Sequence, residues 1–157
     1  MLDGSERRYY DESDINTPNY TWIDYTPEFG DLVNNLITDG YRTQGRYMRI
    51  GNTVWWHIEI NFEGISFGAD NALYTTVPFE STMHTDSASG ALHDVSAGKT
   101  HAIKGHYEKY SKILQLFYTT NIMTDEPMTH NQPVTLATED YFHICGWYEV
   151  VPSDQAI

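Results

Sequence analysis

The chain has 157 residues, of which 40% are hydrophobic and 14% aromatic, which suits one folded domain with a single core. Its formal charge of −13 disfavours contact with a phosphate backbone, so we expect no nucleic-acid partner. No apolar run approaches the ~20 residues that span a bilayer, and the first residues lack the basic-then-apolar order of a secretion signal, so no membrane segment is expected.

The charge is unevenly placed along the chain. Residues 1–40 carry nine acids and two arginines, residues 41–112 carry seven acids and seven bases, and residues 113–157 carry six acids and no base. The acidic ends have two interpretations. They keep a surface-exposed protein soluble, or they dock on the basic surface of a partner.

Residues 1–19 are predicted to form an extended N-terminal arm in front of a domain that covers residues 20–157. The arm is charged, contains Pro18 and has no periodicity beyond the pair Tyr9-Tyr10. A pure linker would not need large aromatic side chains among its charges. We therefore expect Tyr9 and Tyr10 to contact the arm's own domain, a neighbouring subunit or a larger assembly.

From residue 20 onward, most of the sequence has the apolar–polar alternation of strands. The predicted strands cover residues 20–25, 41–50, 53–62, 73–77, 91–96, 100–107, 111–119, 134–136 and 141–151. Residues 31–38 are predicted to form one helical turn, and residues 87–90 a loop. So many short strands with almost no helix predict an all-β fold, an antiparallel β-sandwich of the jelly-roll type.

The clearest element is a hairpin around Gly51-Asn52. A two-residue Gly-Asn loop between alternating runs predicts a type I′ or II′ turn, because these turns need a positive φ. The turn fixes the register of the two strands. Tyr47 should then lie opposite Trp56, and Met48 opposite Trp55.

Alternation along the second strand places Trp56 in the core and Trp55 on the opposite face, together with His57 and Glu59. An uncovered tryptophan there would expose a large apolar area. Three interpretations remain open for Trp55: a loop or the arm covers it, it lies at a subunit interface, or it is a platform on which sugars stack. Arg46 lies diagonally on that face and could pair with Glu59.

Residues that could support chemistry are scattered. The seven histidines match no known metal-binding spacing, although His84 and His93 could meet, so we expect no metal site. Cys145 is the only cysteine, which excludes an internal disulfide, and it is predicted to be a small core residue. Acids that could pair for glycoside hydrolysis are Glu59, Glu63, Asp70 and Glu108.

No nucleophile elbow, phosphate loop or dinucleotide fingerprint occurs in the sequence. Any β-sandwich contains acidic residues that could pair in this way, so these four acids do not identify a catalytic pair. We expect no catalytic residue and no cofactor, and therefore not an enzyme.

The run Gly45-Arg46-Tyr47-Met48-Arg49-Ile50-Gly51-Asn52-Thr53-Val54 resembles a recurring motif of tailed-phage virion proteins, roughly Gly-Arg-Tyr-Thr-Arg-Ile-Gly-Asn-x-Val. Met48 replaces the commoner threonine. Trp22, Val77-Pro78-Phe79 and Gly146-Trp147-Tyr148 also fit that family. The resemblance spans about residues 20–150, and only the hairpin is specific.

The resemblance implies a jelly roll, typically trimeric, on a capsid surface as a decoration or cement protein or at the end of a tail fibre. In that family the motif is structural: the glycine permits the turn, and the arginine and tyrosine brace the sheet. The residues to which this role carries over here are Gly45, Arg46, Tyr47, Arg49, Gly51, Asn52 and Trp56. We name Tyr9, Tyr10 and Trp55 as candidate interface residues.

The leading functional hypothesis is a homotrimeric capsid decoration protein. It would be made in the host cytoplasm and would bind the major capsid protein or other virion proteins on the outer surface of the head. A short arm before a compact knob suits attachment to a preassembled lattice. The alternative is a tail-fibre or tail-associated receptor-binding domain that recognises host surface glycans, and an enzyme acting on host polysaccharide is the third class.

Overall fold

The computed structural model describes residues 21–33, 35–64, 70–82, 84–85, 87–120 and 122–151. Within these ranges the chain forms strands and no helix, and the strand pairings are antiparallel. The strands are β1 (Ile23–Tyr25), β2 (Phe29–Asp31), β3 (Asn35–Leu36), β4 (Tyr41–Ile50), β5 (Thr53–Phe62), β6 (Leu73–Thr76), β7 (Ala88–Asp94), β8 (Lys99–Tyr107), β9 (Ile113–Thr119), β10 (Asp125–Pro127) and β11 (Tyr141–Glu149).

The predicted all-β antiparallel class is confirmed, whereas the jelly-roll arrangement stays a prediction. The predicted N-terminal arm, with Tyr9 and Tyr10, lies outside the described residues. No helix in the described part of the chain has the length and apolar character needed to cross a bilayer.

The strands form one sheet in the order β1-β4-β5-β11-β7-β8-β9-β6-β2-β3, with β10 also paired to β9. Strands β1 and β2 are far apart in this order, yet only residues 26–28 join them. That link spans roughly 14 Å at most. The two ends of the sheet therefore lie close together, and the Tyr25 hydroxyl on β1 donates a hydrogen bond of 3.3 Å to the Thr76 carbonyl on β6 across the gap. The sheet is curled around its own core.

Large side chains from distant strands fill the inside of the curl. The ring centroid of Phe29, on β2, lies 5.6 Å from that of Phe62 and 6.1 Å from that of Phe142. Trp56 and Tyr107 meet edge to face, and the buried indole Nε1 donates a 2.8 Å hydrogen bond to the tyrosine hydroxyl. The only polar atom of this buried indole is thus satisfied.

The predicted hairpin is confirmed to the residue. Strands β4 and β5 have the predicted bounds, and Tyr47 lies opposite Trp56 as Met48 lies opposite Trp55. Gly51 has a φ of 60°, while Asn52 is not among the residues with positive φ. This is the pattern of a type II′ turn, which matches the right-handed twist of the strands.

The predicted helical turn over residues 31–38 is wrong. Strands β2 and β3 form a small hairpin there, and β2 also pairs with β6. The Asp31 carboxylate accepts a 2.9 Å hydrogen bond from the Val33 amide, which closes the turn after β2. A side chain that bonds the backbone two residues on stabilises a turn in place of a helix.

Two further predictions are corrected near other strands. Residues 134–136 are not a strand; the extra strand is β10, which pairs with the end of β9 through Asp125 and Thr119. Residues 87–90 are not a loop throughout, because β7 begins at Ala88. Gly146 permits a close approach between strands, because a Cβ there would lie 2.7 Å from the Tyr107 hydroxyl.

Candidate functional site

The outer face of the curled sheet carries an aligned set of large apolar side chains. Antiparallel pairing places Met48, Trp55 and Trp147 directly opposite one another on β4, β5 and β11. Trp22, just before β1, lies on the same face, since its ring centroid is 5.1 Å from the Arg46 guanidinium carbon. We call Trp22, Met48, Trp55 and Trp147 the tryptophan row.

The three tryptophans of this row are accessible. The exposed fraction is 43% for Trp22, 37% for Trp55 and 42% for Trp147, against 1% for Trp56 in the core. Single exposed apolar residues are common in folded proteins, but an aligned group on one rigid sheet is typical of an interaction site. Of the three interpretations of Trp55, cover by a loop is not seen among the described residues.

A polar row runs beside the tryptophan row on the same face. The pairings align Asp24, Arg46, His57 and Cys145 across β1, β4, β5 and β11. The predicted core position of Cys145 is wrong, because its side chain is exposed. Alternation along β11 requires this result: the core residues Phe142, Ile144 and Tyr148 are even-numbered, and Cys145 is odd-numbered.

A polar pocket opens in this face where β1 ends. Tyr25 is the last residue of β1 and pairs with Gly45, so the earlier residues of β4 have no β1 neighbour. The cavity measures about 300 Å³. It is lined by Asp24, Gln44, Gly45, Arg46, His57 and Glu59.

The polar pocket combines groups of both charges. The sequence left open an ion pair between Arg46 and Glu59, which does not form: within the described ranges the guanidinium stacks on Trp22, and the Glu59 carboxylate accepts a 2.9 Å hydrogen bond from the Asn61 side-chain amide. Burial lowers the pKa of His57, and the nearby Arg46 lowers it further, against an opposing effect of Glu59. The imidazole is therefore neutral at neutral pH and can both donate and accept.

The histidines do not converge on a metal ion. His93 stacks on His143 at 5.3 Å between ring centroids, and His143 stacks on His57 at 6.5 Å. Stacked rings direct their in-plane lone pairs side by side, whereas metal ligands must aim at one point. His84 does not meet His93; it stacks on His106. The described residues contain no group of three or more potential ligands arranged to hold a metal.

The four acids considered for glycoside hydrolysis have separate partners. Glu59 lines the polar pocket and accepts a hydrogen bond from Asn61. Glu63 forms an ion pair of 2.6 Å with Arg42, an Asp70 carboxylate oxygen lies 3.6 Å from His130 Nδ1, and Glu108 accepts a hydrogen bond from Gln115.

The hairpin residues that the sequence resemblance implies are structural lie on both faces of the hairpin. Tyr47 packs edge to face against Phe79, with ring centroids 5.0 Å apart. Arg49 lies over the same Phe79 ring and donates a 2.9 Å hydrogen bond to the Gly51 carbonyl. A Cβ at Gly45 would lie 2.6 Å from the Tyr25 ring. Gly45 therefore permits close packing, and Gly51 permits the turn.

The sequence singled out Trp22 and Trp147 only as parts of the motif, and their place in an exposed row was not predicted. Alternation alone identifies Trp147 as outward, since its neighbour Tyr148 is a core residue. The alignment with Trp55 had no local signal, because β5 and β11 are far apart in the chain.

The chain was compared with known proteins in three ways. No protein-family model, no curated protein and no solved structure gives a significant match.

Proposed function

We propose that this chain is a structural protein of a tailed-phage virion, a homotrimeric decoration protein that binds the assembled head and stabilises it. The exposed tryptophan row is the observation that carries a role in assembly. The motif at Gly45 to Val54 supplies the link to virion proteins through its resemblance.

The part of the row around Trp55 and Trp147 suits contact with another protein. These two tryptophans are direct partners on β5 and β11, which are central strands of the sheet. Trp55 is paired with strands on both sides, and Trp147 is paired with β5 while its carbonyl accepts a 2.7 Å hydrogen bond from the Ser87 hydroxyl. Little conformational entropy is therefore lost when they bind. Exposed tryptophans are enriched among the residues that dominate the free energy of protein interfaces.

Charge adds a second argument for a lattice partner. The acidic residues at both ends of the sequence favour a basic surface, while residues 41–112, which supply most of the sheet, are neutral overall. Long-range attraction through the ends and apolar contact through the row would act together, and three copies in a trimer would engage together.

The test is reconstitution of purified protein on undecorated heads. Trp147→Ala is expected to reduce head binding at least tenfold because an interface tryptophan is lost, while light scattering follows the trimer mass. The matched control is Val95→Ala, which truncates an apolar side chain of similar exposure in the β7–β8 turn. Unchanged head binding by Trp147→Ala, or a monomer that does not bind heads at all, contradicts the proposal.

The tryptophan row also favours a second candidate, a tail-associated receptor-binding domain that recognises host surface glycans. Indole rings present flat apolar faces on which the C–H faces of sugars stack, with a polar edge that stays in water. Labelling of virions with an antibody against this chain separates the two. Label over the whole head supports the decoration protein, and label restricted to the tail supports the receptor-binding domain.

A further inference from the structure

We infer that the polar pocket beside the tryptophan row is a binding site for an uncharged saccharide unit. This site shares Trp55 with the proposed head-attachment surface, but its polar lining does not include Trp147, the residue changed in the head-binding test. A ligand can reach the pocket only if β1 and β4 are open to solvent there, and the side chains of Asp24, Gln44 and Arg46 are exposed.

The pocket has the volume and the hydrogen-bonding capacity for a sugar ring. Its volume of about 300 Å³ is at the lower end of the range for small-molecule sites. Within the described ranges, no protein hydrogen bond or ion pair engages the side chains of Asp24, Gln44, Arg46 or His57. Carboxylate acceptors, guanidinium donors and the Gln44 amide, which both donates and accepts, thus remain available to a ligand in one cavity.

The mixture of charges selects among ligand classes. An anionic ligand would meet Asp24 and Glu59 in a chain of net charge −13, and a cationic ligand would meet Arg46. A purely apolar ligand would leave all these groups unpaired, which is costly once water is excluded. Vicinal hydroxyls donate and accept at adjacent positions, so a neutral saccharide can satisfy acids, amide and guanidinium together.

The aromatic wall needed by such a ligand is adjacent. Trp55 lies two residues from His57 on the same face of β5, about 7 Å along the strand. One face of Trp22 is already covered by the Arg46 guanidinium, which also fixes that donor at the pocket edge. Trp55 is therefore the stacking residue, and Asp24, Gln44, Arg46 and Glu59 supply the polar contacts.

The test uses the purified full chain on an array of neutral and sialylated glycans. The best neutral oligosaccharide is then titrated by tryptophan fluorescence. We expect binding to neutral glycans, weaker binding to their sialylated forms and a change in indole emission. Glu59→Gln keeps the size of the side chain and should weaken binding about tenfold, as loss of a charged hydrogen-bond acceptor does. Gln44→Ala, at an exposed position, should also weaken it.

Glu126→Gln is the matched control, because this exposed acid lies on β10 and does not line the pocket. Thermal unfolding of each variant checks that the fold is intact. Failure of every neutral glycan to bind, a preference for sialylated forms, or equal affinities of Glu59→Gln and the control overturns the saccharide site. Head binding by Glu59→Gln is expected to stay normal, so failure of the site and failure of the decoration proposal are separate outcomes.

Discussion

Trp55 and Trp56 are neighbours in one strand, and they have opposite environments. Trp56 is buried inside the curl and its indole nitrogen is hydrogen-bonded to Tyr107, whereas Trp55 is 37% exposed on the outer face. The pleat of a strand separates consecutive side chains completely. The inner tryptophan therefore serves stability and the outer one is available for binding, although their sequence environments are almost the same.

The largest expected effect follows from removal of the inner ring. Trp56→Ala should lower the free energy of unfolding by about 3–5 kcal/mol, because it removes a fully buried aromatic side chain and leaves a cavity. Trp55→Ala should cost about 1 kcal/mol or less, since much of that ring already contacts water. Urea denaturation followed by circular dichroism measures both values.

Similar losses for the two variants would contradict the assignment of the two faces. In that case Trp55 would be covered by a part of the chain outside the described residues, as one of the sequence interpretations holds.

A second prediction concerns the polar contact of the inner face. Tyr107→Phe keeps the ring but leaves the buried Trp56 Nε1 donor without its 2.8 Å partner, which should cost about 1–3 kcal/mol. The matched control is Tyr118→Phe, whose hydroxyl lies 3.4 Å from a Gln132 side-chain oxygen at an exposed position. If Tyr118→Phe lowers the free energy of unfolding in urea as much as Tyr107→Phe does, the buried hydrogen bond contributes no more to stability than the exposed one.

The turn decides which tryptophan faces inward, so it gives a third test. Gly51 has a φ of 60° and a Cβ there would meet no atom within 4 Å, so Gly51→Ala adds backbone strain without a clash. The expected cost is about 1–2 kcal/mol. Asn52→Ala, next to it and without a positive φ, is the control and should cost less. Equal thermal unfolding midpoints for Gly51→Ala and Asn52→Ala would mean that the positive φ at Gly51 contributes nothing to stability.

The same contrast explains how much could be predicted from the sequence. The hairpin was predicted to the residue because Gly51-Asn52 and the alternation around it are local signals. The segment 31–38 was predicted wrongly because β2 owes its conformation to β6, a partner distant in the chain. Cys145 was placed in the core on its apolar character, although the alternation along β11 already indicated the outer face.

The candidate site was less predictable than the fold for a related reason. Trp22, Trp55 and Trp147 align only when β1, β4, β5 and β11 are placed side by side. The pairing of β5 with β11 has no turn between them to indicate it. A face composed of distant strands is therefore visible only after folding, even when each strand's own alternation is read correctly.

The smallest expected effect is a pH dependence that arises on the outer face. Burial, Arg46 and His143 lower the pKa of His57 in the folded chain, with Glu59 opposing them, so the unfolded chain binds more protons at mildly acidic pH. The stability contributed by the neutral imidazole is present above the ordinary pKa of about 6.5 and is lost as the pH falls below it. Urea midpoints between about pH 7.5 and pH 5.5 should fall less for His57→Gln than for the parent chain. His84→Gln, at an exposed position outside the polar row, is the control variant. Identical slopes for His57→Gln and the parent would mean that the polar row does not hold His57 in its neutral form, so this imidazole would not be available as an acceptor in the polar pocket.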